Sequence, residues 1–333
     1  MILGLFKSKS NILILIIPFL VIISGISSFL NYSSICTEIP VGIVIFQEKF
    51  KYLVINYPLL LLIFNVLLIT IQAFIINHYN AKHIFIEGKT YLPGILFILF
   101  SSVIMVNYPF HSIITANFFM LIGLNFLFNS YSDENYLTDT FMFGFFTGIA
   151  CLFYFPYFLI LIAVWIGNII FNQFNLRKWI AHFIGFLSIA FITVSINFVF
   201  YDLNDLFKSI EYSMQSNHSE LQFHDILFIS FFILIIIFSF FHTLMVDYQK
   251  KIKSRKYSRF FLFISVFIVV ASIFKRNYWM IMPIATFYVY LLSAYLYHRR
   301  NNFFKEIIIL VIVVLIILLN IEIDLFSLNL STI

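Results

Sequence analysis

The chain has 333 residues, of which 62% are hydrophobic and 20% aromatic, while only 11% are charged. Soluble domains carry about a quarter charged residues, so 20 Lys and Arg with 15 Asp and Glu suffice only for short loops. A soluble enzyme and a nucleic-acid-binding domain are both excluded by that arithmetic. The expected class is an all-α, polytopic integral membrane protein forming a single transmembrane domain over residues 1–333.

A helix needs about 20 apolar residues to cross the hydrocarbon core, and pairing each such run with its polar boundary predicts about eleven spans. The first, 11–30, follows Lys7 and Lys9 and is too long for the apolar region of a cleavable signal, so it reads as a retained signal-anchor. The next four are 54–77, 91–107, 112–129 and 139–155. A sixth, 157–173, follows almost without a loop at Pro156. The last five are 179–201, 226–246, 260–274, 278–297 and 306–324. Two outer segments are longer than turns. Residues 31–53 contain the apolar run Val41–Phe46 followed by Gln47, Glu48, Lys49, Phe50 and Lys51, an amphipathic stretch suited to the membrane interface. Residues 202–225 carry Asp202, Asp205, Glu211, His218, Glu220, His224 and Asp225; together the two segments are expected to roof an outward-facing site.

Orientation follows from the cations, which accumulate on the cytoplasmic side. With the N-terminus cytoplasmic, fifteen of the 20 Lys and Arg fall inside, and the outer side keeps Lys49, Lys51, Lys208, Lys275 and Arg276. Nine of the 15 acids fall outside. The C-terminus is then outside. The decade from Lys250 to Arg259, with six cations, reads as an inner loop that fixes topology and touches anionic lipid. Cys36 and Cys151 have no metal-binding spacing, and are read first as small core residues, a disulfide between them being the second reading.

Ionisable groups within spans are costly and mark function by default. These spans hold almost none, which disfavours an ion pump. His182 and His242 are expected to hydrogen-bond neighbouring helices, and Asn65, Asn117, Asn125, Asn168 and Asn197 to join helices through their amides. Chemistry is therefore expected at the outer boundary. Glu38 follows the first span, where a carboxylate can take a proton from an acceptor hydroxyl; an ordinary solvated acid is the alternative. Lys275 and Arg276 occupy a tight outer connection beside Tyr278 and Trp279, where a guanidinium and an ammonium suit a lipid phosphate; contact with ordinary anionic lipid is the alternative. His111, in the outer turn Asn107-Tyr108-Pro109-Phe110-His111, is a further candidate.

From about residue 95 to 180 the order of features resembles the membrane module of the C-type glycosyltransferases. An apolar helix ends at Pro109, a Leu-rich helix follows with Asn117, Leu121, Leu124 and Leu127, and the run Gly144-Phe145-Phe146-Thr147-Gly148 climbs back to Pro156. The resemblance implies a sugar transferase using a polyprenyl-phosphate-linked donor at the outer face of a bacterial inner membrane. Glu38 and Val41–Phe46 then stand where that superfamily has its acidic motif and amphipathic segment. Thr37-Glu38 replaces the paired acids of many members, Asn117 replaces an acid, and Tyr154-Phe155 replaces a lysine. The segments Gly148–Pro156 and Phe174–Trp179 also resemble a bacterial family of polytopic inner-membrane proteins, a resemblance that supplies no function.

The expectation is thus a C-type-like glycosyltransferase acting on an acceptor of unknown identity. Glu38 is the catalytic base, Lys275 and Arg276 hold the donor phosphate, and His111 and Asn117 line the sugar pocket. Expected partners are membrane lipids, the polyprenyl-phosphate sugar donor and the acceptor, with no nucleic acid. No cofactor is expected, and a lone acid gives little reason for a divalent cation. The rival readings are a transporter or flippase of a lipid-linked or amphipathic solute, and a non-enzymatic subunit of an envelope complex.

Overall fold

The computed structural model describes residues 17–23, 25, 56–86, 90–107, 112–130, 136–167, 169, 175–200, 203–214, 237, 241, 245, 252–275, 281–298 and 310. Helices make up almost all of these, and there is no strand among the described residues. In chain order they are α1 (Pro58–His83), α2 (Leu92–Asn107), α3 (Ser112–Asn129), α4 (Tyr136–Phe153), a 3-10 turn (Phe155–Tyr157), α5 (Phe158–Gly167), α6 (Leu176–Phe200), α7 (Leu203–Met214), α8 (Ile252–Lys275) and α9 (Ile281–His298). Among the described residues α1, α3, α4, α6 and α8 are long and apolar enough to cross a membrane, and α2, α5 and α9 supply shorter apolar helices. The protein is an all-α, multi-pass membrane protein.

Two of the described boundaries depart most from expectation. Helix α1 runs on to Lys82 and His83, past the expected limit at residue 77, and α8 begins at Ile252 rather than at 260. The cationic decade is therefore mostly helix, not loop. Hydropathy ends a span where charge begins, but the helix continues because its inward side stays apolar or small. Ser254, Tyr257, Ser258, Phe260 and Phe261 are buried while Arg259 is exposed, a periodicity that only a helix satisfies. Helix α1 stops at Ile84, which takes a left-handed conformation (φ 54°) and donates its N–H to the Asn80 carbonyl; the Ile86 N–H is in turn held by Asn80 Oδ1 at 3.1 Å.

Side-chain contacts fix the helix directions. Residues 72, 79 and 82 of α1 meet 114, 121 and 125 of α3, so these helices run parallel, and α2, between them in the chain, packs on α1 and α9. Helix α3 pairs with α4 in the opposite sense, through the ring pairs Phe119–Phe153 and Phe126–Phe146. Helices α4 and α6 form the most extensive contact and run parallel, Gly144 meeting His182 and Gly148 meeting Ile189. Helix α5, which joins them in the chain, sets Phe158 against Phe186 and stacks Trp165 on Trp179, and packs mainly on α8. These alternations agree with the expected order of crossings.

The α4–α6 contact is close because small residues remove the usual separation. A Cβ on Gly144 would run into the His182 carbonyl oxygen, and one on Gly185 into the Phe141 carbonyl oxygen. With Gly148 one turn on from Gly144, this is the small-xxx-small packing that lets helices associate in lipid, where no hydrophobic force drives them together. The core lies between α1, α2, α3, α8 and α9. Its densest part is aromatic: the Phe85 ring lies 4.9 Å from each of Tyr257, Phe261 and Tyr290 and 5.2 Å from Phe128. Tyr79 and Tyr290 donate their hydroxyls to the Leu121 and Ile76 carbonyls, so these two buried phenols are satisfied.

Candidate functional site

Helix directions define two ends. At one lie the C-termini of α1 and α3 and the N-termini of α6 and α8, bringing Lys82, Arg177, Lys178, Arg255, Lys256 and Arg259 to one side of the bundle. At the other lie the N-termini of α3 and α9, the 3-10 turn, and the C-termini of α6 and α8.

Of the five candidate site residues, Asn117 is the one whose side chain is described. It is fully buried, five residues into α3, about 7.5 Å along the axis from Ser112. Its carboxamide joins four elements. Nδ2 donates to Gln72 Oε1 of α1 at 2.8 Å, and Oδ1 accepts from the Tyr157 hydroxyl at 3.0 Å and the Thr286 hydroxyl at 2.9 Å. Gln72 closes the group by donating Nε2 to the Ile114 carbonyl at 2.8 Å. Both oxygen lone pairs thus have donors, and the amide joins helices as expected. Lys275 ends α8 at the same end of the bundle; its side chain, and all of Glu38, His111 and Arg276, lie outside the described residues, as do residues 31–53.

The other intramembrane candidates divide. Asn125 and Asn129 of α3 accept from the Lys82 ammonium of α1 at 3.3 and 2.9 Å, an interhelical link. Asn197 instead donates to the Thr193 carbonyl of its own helix at 2.9 Å, which satisfies the amide locally and joins no other helix among the described residues. His182 is fully buried with its ring 4.9 Å from Phe143, and neither ring nitrogen has a hydrogen-bond partner among the described residues. Among the described residues the expected bond to a neighbouring helix is absent, the α4 surface facing His182 being glycine and phenylalanine. Asn168 and His242 lie outside the described residues. Cys151 is a buried free thiol.

Sequence reasoning missed the partners. Gln72, Tyr157 and Thr286 each interrupt an apolar run, which is the available signal, but nothing in the spacing says that they converge on Asn117. It also missed Lys178, which is buried at the cationic end, donates to the Ser130 carbonyl at 3.2 Å and sits 5.0 Å above the Tyr136 ring. Those contacts are a carbonyl and a π face, the partners a desolvated ammonium can use. Among the described residues no three His, Cys, Asp or Glu side chains gather as a metal site would require. The segment 202–225 contains α7, whose Leu206 is buried while Asn204, Phe207, Lys208 and Glu211 are exposed, an amphipathic helix at the end opposite the cationic one.

No protein-family model matches the chain, and neither curated proteins nor solved structures yield a significant match.

Proposed function

We propose that the protein is a C-type-like glycosyltransferase that moves a sugar from a polyprenyl-phosphate carrier to an acceptor at the outer face of a bacterial inner membrane. The cationic end is cytoplasmic by the positive-inside rule, so the end with Asn117 and the terminus of α8 faces outward. The acceptor hydroxyl attacks the anomeric carbon, Glu38 takes its proton, and the polyprenyl phosphate leaves with the electrons of the broken glycosidic bond. Lys275 and Arg276 stabilise the charge that grows on that phosphate. His111 and Asn117 contribute to the sugar side of the site.

The observation that carries the reading is the four-way junction at Asn117. It locks α1, α3, α9 and the 3-10 turn about 7.5 Å in from the start of α3, at the end of the bundle where α8 closes at Lys275. A reacting constellation needs such a rigid base, because small losses of alignment cost rate. The likeness of residues 95–180 to the C-type module adds the reaction class, by fold-level analogy.

The test separates binding from chemistry. Lys275→Ala with Arg276→Ala is expected to weaken binding of a polyprenyl-phosphate sugar in nanodiscs by about 10-fold or more, since charge-assisted bonds to phosphate contribute about 1.5–3 kcal/mol each. Glu38→Ala is expected to leave that binding within about 2-fold while product formation falls by about 10²-fold or more. Unchanged binding in the double variant overturns the phosphate assignment, and undiminished product in Glu38→Ala overturns the general base.

A further inference from the structure

We propose that the first turn of α3 holds a monovalent anion of halide size, an inference independent of glycosyl transfer. The observation that carries it is a pair of hydroxyls. Ser112 opens α3 and Thr115 follows it by three residues. They are 0% and 6% exposed, and neither Ser112 Oγ nor Thr115 Oγ1 has a hydrogen-bond partner among the described residues. Other buried hydroxyls of the bundle turn back to a carbonyl of their own helix, as Ser101 does to Ile98 at 3.0 Å, Thr140 to Leu137 at 2.9 Å and Thr147 to Phe143 at 2.7 Å. Thr115 has the same recourse at the carbonyl of residue 112 and does not take it. A buried hydroxyl without a partner has given up its hydration for nothing, and two of them within one turn ask for a ligand.

Both hydroxyls lean the same way. The Cα–Cβ bonds of a helix tilt toward its N-terminus, so the pair is aimed at the start of α3, and residues three apart share one face. Phe119, further along that face, stacks on Phe153 of α4. Asn117 lies on the opposite side of α3 with Gln72, Tyr157 and Thr286, so the hydroxyl pair is separate from that junction.

Three properties select the occupant. First, sign: a hydroxyl can donate or accept, but the first amides of a helix have no acceptor within it and the aligned peptides leave about half a positive charge at that end, which favours an anion over a cation. Second, charge: two hydroxyls and a partial charge can offset one negative charge taken out of water, whereas a buried dianion requires formal cations. Third, size: the burial of both side chains excludes a group as large as a lipid phosphodiester, and a single-atom anion can accept from both hydroxyls at once.

The experiment uses the full chain in phosphatidylcholine nanodiscs and follows its melting temperature as sodium gluconate is replaced by sodium chloride at a constant ionic strength of about 150 mM. A ligand that binds only the folded chain stabilises it by mass action, and a rise of about 2–4 °C is expected, with bromide acting as chloride does. Ser112→Ala with Thr115→Val is expected to abolish the rise yet to melt no lower than the unsubstituted chain in gluconate, because it removes unsatisfied hydroxyls. Ser293→Ala removes a buried hydroxyl that also has no partner among the described residues, but in the middle of α9, and is expected to keep the rise.

No chloride-dependent rise in the unsubstituted chain overturns the proposal, whether or not the variants assemble. A rise that survives in the double variant places the ion elsewhere and overturns the site. A rise produced by phosphatidylglycerol in chloride-free nanodiscs, and lost in the double variant, gives the turn to a lipid phosphate and overturns the halide. None of these outcomes bears on turnover dependent on Glu38, so the anion and the transferase reading fail separately.

Discussion

Replacing Asn117 by leucine removes one carboxamide and leaves the Gln72 oxygen and the Tyr157 hydroxyl short of a partner, while the Thr286 hydroxyl can turn to the Met282 carbonyl of its own helix at 3.1 Å. Interhelical hydrogen bonds in membranes average about 0.6 kcal/mol each, and stranding buried partners adds to the loss. Asn117→Leu is therefore expected to lower stability by about 2 kcal/mol in a denaturant titration. Asn197→Leu should cost under about 0.5 kcal/mol, since its amide bonds only its own helix and the freed carbonyl is already in the helical ladder. Equal effects of the two would contradict the junction. Ile84 gives a prediction of opposite sign. A β-branched residue with φ 54° is strained by about 1–2 kcal/mol, and half its surface is exposed, so Ile84→Gly should raise the melting temperature by relieving the left-handed cap of α1. No gain, or a loss, would contradict it.

The same two asparagines show what the sequence makes legible. An asparagine in an apolar span is readable as a hydrogen-bonding residue, but whether it bonds across helices or back to its own carbonyl depends on what the facing helix presents. Asn117 faces polar groups, Asn197 bonds locally, and His182 faces Phe143 and glycine. At the scale of elements, hydropathy located α2 and α3 to within one residue because polar residues flank the start of α2 and the end of α3 and Pro109 interrupts the sequence between them. It cut α1 and α8 short, since a helix leaving the bilayer continues into water wherever one side remains buried. The α8 extension makes a direct prediction. Lys256→Pro removes a backbone donor inside the helix and should destabilise by about 3 kcal/mol, whereas in a loop it would be nearly neutral. Gly144→Ala tests the α4–α6 contact: its Cβ meets the backbone carbonyl of His182, which cannot rotate away. A loss of about 1–3 kcal/mol is expected, and a neutral result would mean that the two helices are further apart.

For the whole molecule, the composition already dictated a membrane protein, and the parallel and antiparallel helix pairs follow the alternation that short loops impose. What no local pattern reveals is convergence, because Gln72, Asn117, Tyr157 and Thr286 are spread over more than two hundred residues. The functional reading depends on one end of this bundle being a reaction platform fed by lipid-linked sugar. The most direct measurement is turnover of radiolabelled polyprenyl-phosphate sugars by the protein in nanodiscs with a membrane extract as acceptor, comparing unsubstituted protein with Glu38→Ala. The account predicts donor consumption and a new glycosylated product that Glu38→Ala fails to make. Donor that binds but is never consumed across a panel of sugars would contradict it and leave a carrier or a scaffold in its place.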